Sequence, residues 1–348
     1  MSSHPDVISV GIIGAGSMGA RHAATLSTCV PGVRVAGVMD LDRSRAERLS
    51  AGCGAGVMVF EDGRELIRHG GIDAVVITTP DETHAGLVIE CLEAGKPVFC
   101  EKPLATTVEE ARRILDAEAA LGRRMVVVGF MRRYDPSHRE VREAIDSGAI
   151  GRPVLFRGIH RNAAALPGTT SESVLVNSAV HDLDTARWLL GQEIEEAYVS
   201  GVSTGARSDD GVLDLQMIQL RLGGGCLADI EVYVNAGYGY EVGLEVVGDS
   251  GTVSIAPSGS SMLRRQRCVG RRIEGDWLER FDAAYVLEMQ RWIGDLHEGN
   301  FTGPDAWDGY VSLAAVECCI SSLNSGSPQS LTIPDRPALY EGIAEVNR

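Results

Sequence analysis

The sequence predicts an α/β chain in two parts. A doubly wound parallel sheet covers residues 1–129, and an α+β part with a large open, mainly antiparallel sheet covers 130–348. Three observations predict it. An apolar, β-branched run, VISVGIIGAGSMGA from Val7 to Ala20, closes in Gly14-x-Gly16-x-x-Gly19, which reads as a buried strand entering a helix. Strand-sized apolar runs then alternate with helix-like stretches as far as residue 129, a βαβ rhythm. Past residue 130 the runs alternate apolar with polar and are joined by glycine-rich turns, as in hairpins with one covered face.

The glycines have separate tasks. Gly14 permits the turn, Gly16 lets a pyrophosphate approach the backbone, and Gly19 lets the helix pack closely on the strand. The first helical amides, from Ser17 and Met18, then face the phosphates with the favourable end of the helix dipole. Such a strand–turn–helix is the nucleotide-binding start of a Rossmann domain. A second run, Val33–Met39, ends at Asp40, about 20 residues past the glycines, where the ribose-binding acid of that fold is expected. A carboxylate there accepts from the ribose 2′-hydroxyl and repels a 2′-phosphate, which points to NAD and away from NADP. Arg43 and Arg45 follow. They either soften that preference or form a solvated helix face, and Arg43 is kept as a cofactor candidate.

The later elements fit the same rhythm. Arg43–Ser50 is helix-like, Val57–Phe60 a short strand and Gly63–His69 a short helix. Asp73–Thr79 is a buried strand ending at Pro80, and Thr83–Ala94 a helix stopped by Gly95. Pro97–Cys100 is a strand that runs into Glu101-Lys102-Pro103. Val108–Leu121 is an amphipathic helix and Met125–Gly129 a last strand. Ligands on such a sheet bind outside the carboxyl ends of the strands. Thr78, Thr79, Pro80, Glu101, Lys102 and Arg132 stand there, with His84 at the head of the next helix, and all are cofactor candidates.

In the second part Pro136–Ser147 is a helix. Strands follow at Pro153–Asn162, Glu195–Thr204, Leu213–Leu222, Cys226–Asn235, Tyr240–Val247 and Gly251–Ile255. A helix from about Ala179 to Leu190 separates the first two. Along Leu213–Leu222 both parities carry apolar residues, so neither face of the sheet looks fully solvated. Two helices, near Ala283–Glu298 and Pro304–Ser322, close the chain, and Arg264–Arg272 reads as a solvated basic hairpin.

Composition narrows the function. A formal net charge of −16 argues against nucleic acid or an anionic membrane as partner. Met1–Asp6 is too short and polar for a secretory signal, and no apolar run approaches a membrane span. Eight cysteines, none in a CxxC pair, suit buried free thiols in a reducing cytoplasm. No metal site is expected from their spacing.

Two residues stand out for chemistry. Lys102, before Pro103, is held in extended geometry and aimed at the nicotinamide crevice, where it stabilises an alkoxide; the bland alternative is a surface lysine before a turn. His181, in VNSAVHDLDTARWLL, shares a helix face with Asn177 and Asp184. A neutral imidazole steadied by a carboxylate makes a good base for an alcohol proton. The alternative is a helix start capped by Asn177 or Ser178.

These residues resemble the glucose–fructose oxidoreductase and inositol dehydrogenase (Gfo/Idh/MocA) family, from residue 7 to about 326. GxGxxG, Asp40 and EKP mark the broad family. FCEKPLATT, VGFMRRYDP, HRN at 160–162, VHDLD at 180–184, YVNAGYGYE and GPDAWDGY resemble its bacterial inositol 2-dehydrogenases. The resemblance implies NAD-dependent oxidation of the axial secondary alcohol of myo-inositol to a ketone, in a cytoplasmic homotetramer joined through open sheet faces. It implies Lys102 as alkoxide stabiliser, His181 as proton acceptor with Asn177 beside it, and Asp184 as the acid that follows. Met131, Arg132, Asn162 and Tyr240 line the polyol pocket. The family usually carries Asp at the position of Asn177. Alternatives are the same chemistry on scyllo-inositol, an aminocyclitol or a pyranose, and a non-catalytic dinucleotide-binding regulator.

Overall fold

The computed structural model describes residues 7–205, 211–255, 262–265 and 267–341. The reading of Met1–Asp6 therefore lies outside the described residues. The chain forms two compact units. The first comprises Met1–Met131, Tyr285–Leu313 and Pro334–Arg348, the second Arg132–Ala284 and Ala314–Ile333.

The first unit begins β1 Ile8–Ile13, α1 Ser17–Thr28, β2 Val33–Met39, α2 Arg43–Gly52, β3 Met58–Phe60 and α3 Gly63–Arg68. It continues β4 Ala74–Ile77, α4 His84–Glu93, β5 Val98–Cys100, α5 Val108–Leu121 and β6 Val126–Val128. The six strands are all parallel, in the order β3-β2-β1-β4-β5-β6. That is the dinucleotide-binding order, reversing between β1 and β4. The apolar runs are continuous because helices cover both faces: all four residues of β4 are buried. Side-chain caps start most of the helices. Asp42, Asp62 and Thr107 accept from the amides of Ser44, Arg64 and Glu110, each worth about 1 kcal/mol.

Two glycines fix the first turn. Gly14 has φ +100°, and a Cβ on it would lie 2.6 Å from the Thr78 carbonyl oxygen. A Cβ on Gly19 would lie 1.9 Å from the Gly14 carbonyl oxygen, so α1 and β1 meet at a distance no side chain permits.

The second unit opens with α6 Pro136–Asp146 and β7 Pro153–Arg161, then α7 Ser171–Val174 and α8 Val180–Leu190. Strands β8 Ile194–Val202, β9 Leu215–Leu222, β10 Leu227–Tyr233, β11 Glu241–Gly248 and β12 Thr252–Ser254 follow. Its seven-stranded sheet runs β12-β11-β7-β10-β9-β8-β15, with β15 at Gln329–Ser330. Every pair is antiparallel except β7 with β10. The expected glycine turns do join β9 to β10 and β11 to β12. One face is buried within the unit, through Phe156, Ile218, Leu220, Ile230, Val232 and Val246. On the other parity Leu215 and Met217 are only half-covered and Gln219 and Arg221 exposed. The basic segment pairs as a hairpin, β13 Met262–Arg265 with β14 Cys268–Arg271; the exposure expected of it lies outside the described residues.

The closing part is α9 Trp277–Arg280, α10 Asp282–Glu298 and α11 Ala306–Ser325. From Tyr285 the chain rejoins the first unit. Met289, Trp292 and Ile293 of α10, with Phe301, pack into the core of Val10, Ile12, Val76 and Phe99. The Phe99 and Trp292 ring centroids are 5.8 Å apart.

The helix carrying His181 differs from the sequence expectation. It starts at Thr170, which forms a capping box with Ser173, and runs through a π-helical turn at Leu175–Ala179 into α8. Asn177 and Ser178 are therefore interior to a helix and cap nothing. The expected start near 179 reflects the break in α-periodicity that the wider turn introduces.

The glycine geometry makes a paired prediction. Gly19→Ala forces α1 off β1 and lowers stability by about 1–3 kcal/mol, the cost of overpacking, seen as a lower thermal midpoint. Gly16 has φ −75° and ψ −162°, and no atom lies within 4 Å of where its Cβ would be. Gly16→Ala therefore leaves the midpoint unchanged. Equal melting of the two variants would contradict this.

Candidate active site

The carboxyl ends of the first unit's strands bring together most of the expected cofactor residues. Gly16 caps α1 with no side-chain hydrogen bond, and the first turn of α1 holds no acid. The amides of Ser17, Met18 and Gly19 and the space before Gly16 thus form a cradle that a side chain would fill, and it fits a pyrophosphate. Asp40 stands at the end of β2. Its Oδ2 accepts from the Ala15 amide at 2.6 Å and its Oδ1 from the Asp42 amide at 2.8 Å. Each oxygen keeps a lone pair for a ribose hydroxyl. Thr78 donates through Oγ1 to the Gly14 carbonyl at 2.8 Å, and Thr83 to Thr79 Oγ1 at 2.6 Å and the Pro80 carbonyl at 2.8 Å. These residues fit a dinucleotide.

Three expected cofactor residues are occupied otherwise. Arg43 lies on the exposed face of α2, donating to Glu47 at 2.9 Å and to Glu61 at 2.5 Å. His84 is buried, with its two ring nitrogens on the Pro103 and Thr79 carbonyls at 2.7 and 2.9 Å. Glu101 turns its Oε1 to His22 Nε2 at 2.8 Å, while its Oε2 accepts from the Lys102 amide at 3.3 Å. His22 carried no role in the sequence reading. Its signal is the spacing Gly14-x-Gly16-x-x-Gly19-x-x-His22, which puts it one turn beyond Gly19. Behind this pair Glu288 is fully buried. Burial, then the charge of Glu101, pushes its carboxyl well above the ordinary range. Lys102 is half-buried and Met131 buried; the Lys102–Pro103 peptide is cis.

The second unit carries a buried polar network. Arg132 donates from Nη1 to Asp182 Oδ1 at 2.6 Å, and its Nη2 is 3.1 Å from His160 Nδ1. His160 Nδ1 is 2.8 Å from Asp182 Oδ2. A carboxylate only accepts, so Nδ1–H donates to it, and Nε2 is left to accept from the Tyr240 hydroxyl at 3.3 Å. All four side chains are at least 97% buried. Burial pushes Asp182 up, but Arg132 and His160 outweigh it and hold the carboxyl down at about 2. Burial pushes the Tyr240 phenol up to about 12, so it stays protonated. The reading of Arg132 as a pocket residue is refined: its guanidinium braces Asp182 and His160, and Tyr240 ends the chain.

His181 is buried, and the π-helical turn sets Asn177 on the same helix side one turn before it. Asp184 does not serve simply as the acid behind that ring. Arg133 grips it with two bonds, Nε to Oδ2 at 3.0 Å and Nη2 to Oδ1 at 2.5 Å. Asn162 donates its amide to Tyr233 at 2.9 Å, and its side-chain Oδ1 is buried with no partner, an acceptor ready for a hydroxyl. His160, Asp182 and Arg133 were legible only as letters inside HRN, VHDLD and MRRYD. Among the described residues no group of three His, Cys, Asp or Glu side chains gathers to hold a metal ion, and no helix is long and apolar enough to cross a membrane.

Comparison with known proteins supplies the frame. Residues 8–130 match the family model of an oxidoreductase family with an NAD-binding Rossmann fold, GFO_IDH_MocA, and residues 138–254 match a C-terminal domain of the same family. An inositol 2-dehydrogenase of Rubrobacter xylanophilus is 52% identical over 99% of both chains. An inositol 2-dehydrogenase of Saccharopolyspora erythraea is 42% identical over 96% of this chain and 99% of its own. The myo-inositol dehydrogenase of Lactobacillus casei, solved with NAD(H) and myo-inositol, superposes with a TM-score of 0.93 at 32% identity, covering 96% of this chain and 100% of that one.

The network makes a stability prediction. Removing one partner of a buried ion pair costs about 3–5 kcal/mol, so Asp182→Asn lowers the urea-unfolding free energy by that order near neutral pH. The folded carboxyl, at about 2, lies below its unfolded value of about 3.9. Its contribution is full above the unfolded value and fades as pH falls toward the folded one. The gap between variant and parent must therefore narrow below about pH 4. A gap that stays constant to pH 3 would refute the assignment.

Proposed function

Because this chain belongs to the Gfo/Idh/MocA oxidoreductase family, with an NAD-binding Rossmann fold, we propose that it oxidises a cyclic polyol, myo-inositol first, to the corresponding 2-ketone. One observation carries the reading: Lys102 in EKP and His181 in VHDLD are both present in a chain 52% identical, end to end, to an inositol 2-dehydrogenase. A non-catalytic regulator has no need of both.

NAD, when bound, accepts the hydride of the reacting carbinol. Gly14, Gly16, Ser17, Met18 and Gly19 hold its pyrophosphate, Asp40 a ribose, and Thr78, Thr79 and Pro80 the nicotinamide side. Lys102 donates to the reacting oxygen and stabilises its developing charge. His181 takes the hydroxyl proton. Tyr240 spends its proton on His160, so its oxygen accepts from a substrate hydroxyl, as Asn162 Oδ1 does. Asn177 and Met131 complete the polyol contacts, and Arg132 holds Tyr240 through Asp182 and His160. Residues 1–129 make the NAD domain, joined by the α10 return. Residues 130–348 make the substrate and oligomerisation domain. The half-covered Leu215 and Met217 suit a homotetramer packed through the sheet. The seven described cysteines are free thiols, which suits the cytoplasm. The formal charge of −16 disfavours nucleic acid. A second reading, the same chemistry on scyllo-inositol, an aminocyclitol or a pyranose, is favoured by Asn177, an amide where the family usually has a carboxylate.

The test is nicotinamide absorbance with a polyol panel, using NAD and NADP separately. The expected result is turnover of myo-inositol with NAD. Lys102→Met should lower kcat/KM by at least ~10², comparable to losing one oxyanion donor, with a smaller effect on NAD affinity. Failure on every polyol would overturn the reading.

Asn177 adds a pH prediction. Asn177→Asp places a carboxylate one turn before His181 and favours its imidazolium. The ring must then lose its proton at higher pH before it can act, so the acid limb of kcat/KM moves up. An unmoved limb with an altered substrate ranking would make residue 177 a specificity contact only.

A further inference from the structure

We propose that His84 is a positioning residue for Lys102, holding the EKP turn to the end of β4, and that it does not itself bind cofactor. This rests on the functional reading above for what Lys102 does, but its geometry stands apart from it. His84 opens α4 and is 1% exposed. Its Nδ1 lies 2.7 Å from the Pro103 carbonyl and its Nε2 2.9 Å from the Thr79 carbonyl. Carbonyl oxygens only accept, so both ring nitrogens donate. Neither nitrogen is left for a nucleotide.

The two carbonyls belong to the two segments that matter. Thr79 follows β4 and is braced by Thr83, which donates to its Oγ1 at 2.6 Å and to the Pro80 carbonyl at 2.8 Å. Pro103 follows Lys102. On the other side of the lysine, Glu101 donates its amide to the Ile77 carbonyl at 3.0 Å and is held by His22 at 2.8 Å. The Lys102 amide donates to Glu101 Oε2 at 3.3 Å. The lysine thus hangs from a turn fixed before it through Glu101 and after it through Pro103. Only His84 ties the latter point to the loop 79–80 among the bonds described. A side chain long enough to reach one carbonyl cannot span both, because an amide donates from a single nitrogen.

The experiment uses the full chain carrying His84→Ala, His84→Asn or His84→Gln. Amide hydrogen exchange without ligand is the first readout: segments 77–84 and 99–106 should both exchange faster, with the rest of the chain unchanged. Unchanged protection in segment 99–106 would overturn the proposal. The second readout is kinetic. His84→Ala should lower kcat between about 10- and 100-fold, the scale of a misplaced catalytic group, with KM for NAD changed less than about threefold. Asn or Gln should recover part of the loss. In a Lys102→Met background the same substitution should cost almost nothing further, since a residue acting through the lysine has nothing left to position. Full additivity of the two losses, or an effect confined to KM for NAD, would overturn the proposal and make His84 a cofactor contact. A parent that turns over no polyol would overturn the functional reading instead, and the exchange result would still decide this one.

Discussion

The closest constraint in the first unit is the backbone contact at Gly19. With 1.9 Å between the Gly14 carbonyl oxygen and the place of a residue-19 Cβ, α1 is pressed against β1 as tightly as a chain allows. Much of the site follows from that contact. His22 lies one turn further along α1 on the same side, and the close approach delivers its ring to Glu101 at the end of β5. Glu101 then accepts from the Lys102 amide. A missing side chain at one position thereby sets the backbone of a lysine 83 positions later (102 − 19).

The second unit reaches a similar end with charge. Arg132, Asp182, His160 and Tyr240 make a buried chain whose Coulombic gain is largely offset by desolvation. Its net stabilisation is small compared with the loss when one member is removed. Its effect is on orientation: with Nδ1–H on Asp182, His160 can only accept at Nε2, and the Tyr240 proton has one destination. The helix beside it carries a π-helical turn, which rotates the residues on either side relative to an α-helix. Asn177 and His181 share a side because of that turn, and Asp184 reaches Arg133 further along the helix.

Strand periods and glycine spacing carried most of the architecture. β1, β2 and α5 lie where their patterns end, because a parallel strand buried on two faces and a helix capped by Thr107 each leave unambiguous signals. The return of α10 to the first unit was not legible, since Met289, Trp292 and Ile293 form an apolar stripe that any core would accept. The parallel pairing of β7 with β10 was hidden for a similar reason: alternation gives a strand's faces but not its neighbour. In the site, single residues with strong chemistry were easier to see than their partners. Lys102 and His181 declare themselves by type, whereas Asp182 and Asp184 differ only in which arginine each meets.

The same logic bears on the choice of dinucleotide. Asp40 keeps both oxygens on backbone amides, so its carboxylate is fixed in place rather than free to swing aside. Two unit negative charges about 5 Å apart in a half-exposed site repel by roughly 3 kcal/mol, more than a hundredfold in affinity. A neighbouring arginine could offset this, as in NADP-binding relatives of the fold. Here Arg43 is engaged by Glu47 and Glu61, and Arg45 by Asp42 at 3.4 Å. The carboxylates that hold these arginines on α2 and beside it therefore contribute to the preference for NAD as much as Asp40 does, by neutralising the cations that a 2′-phosphate would need.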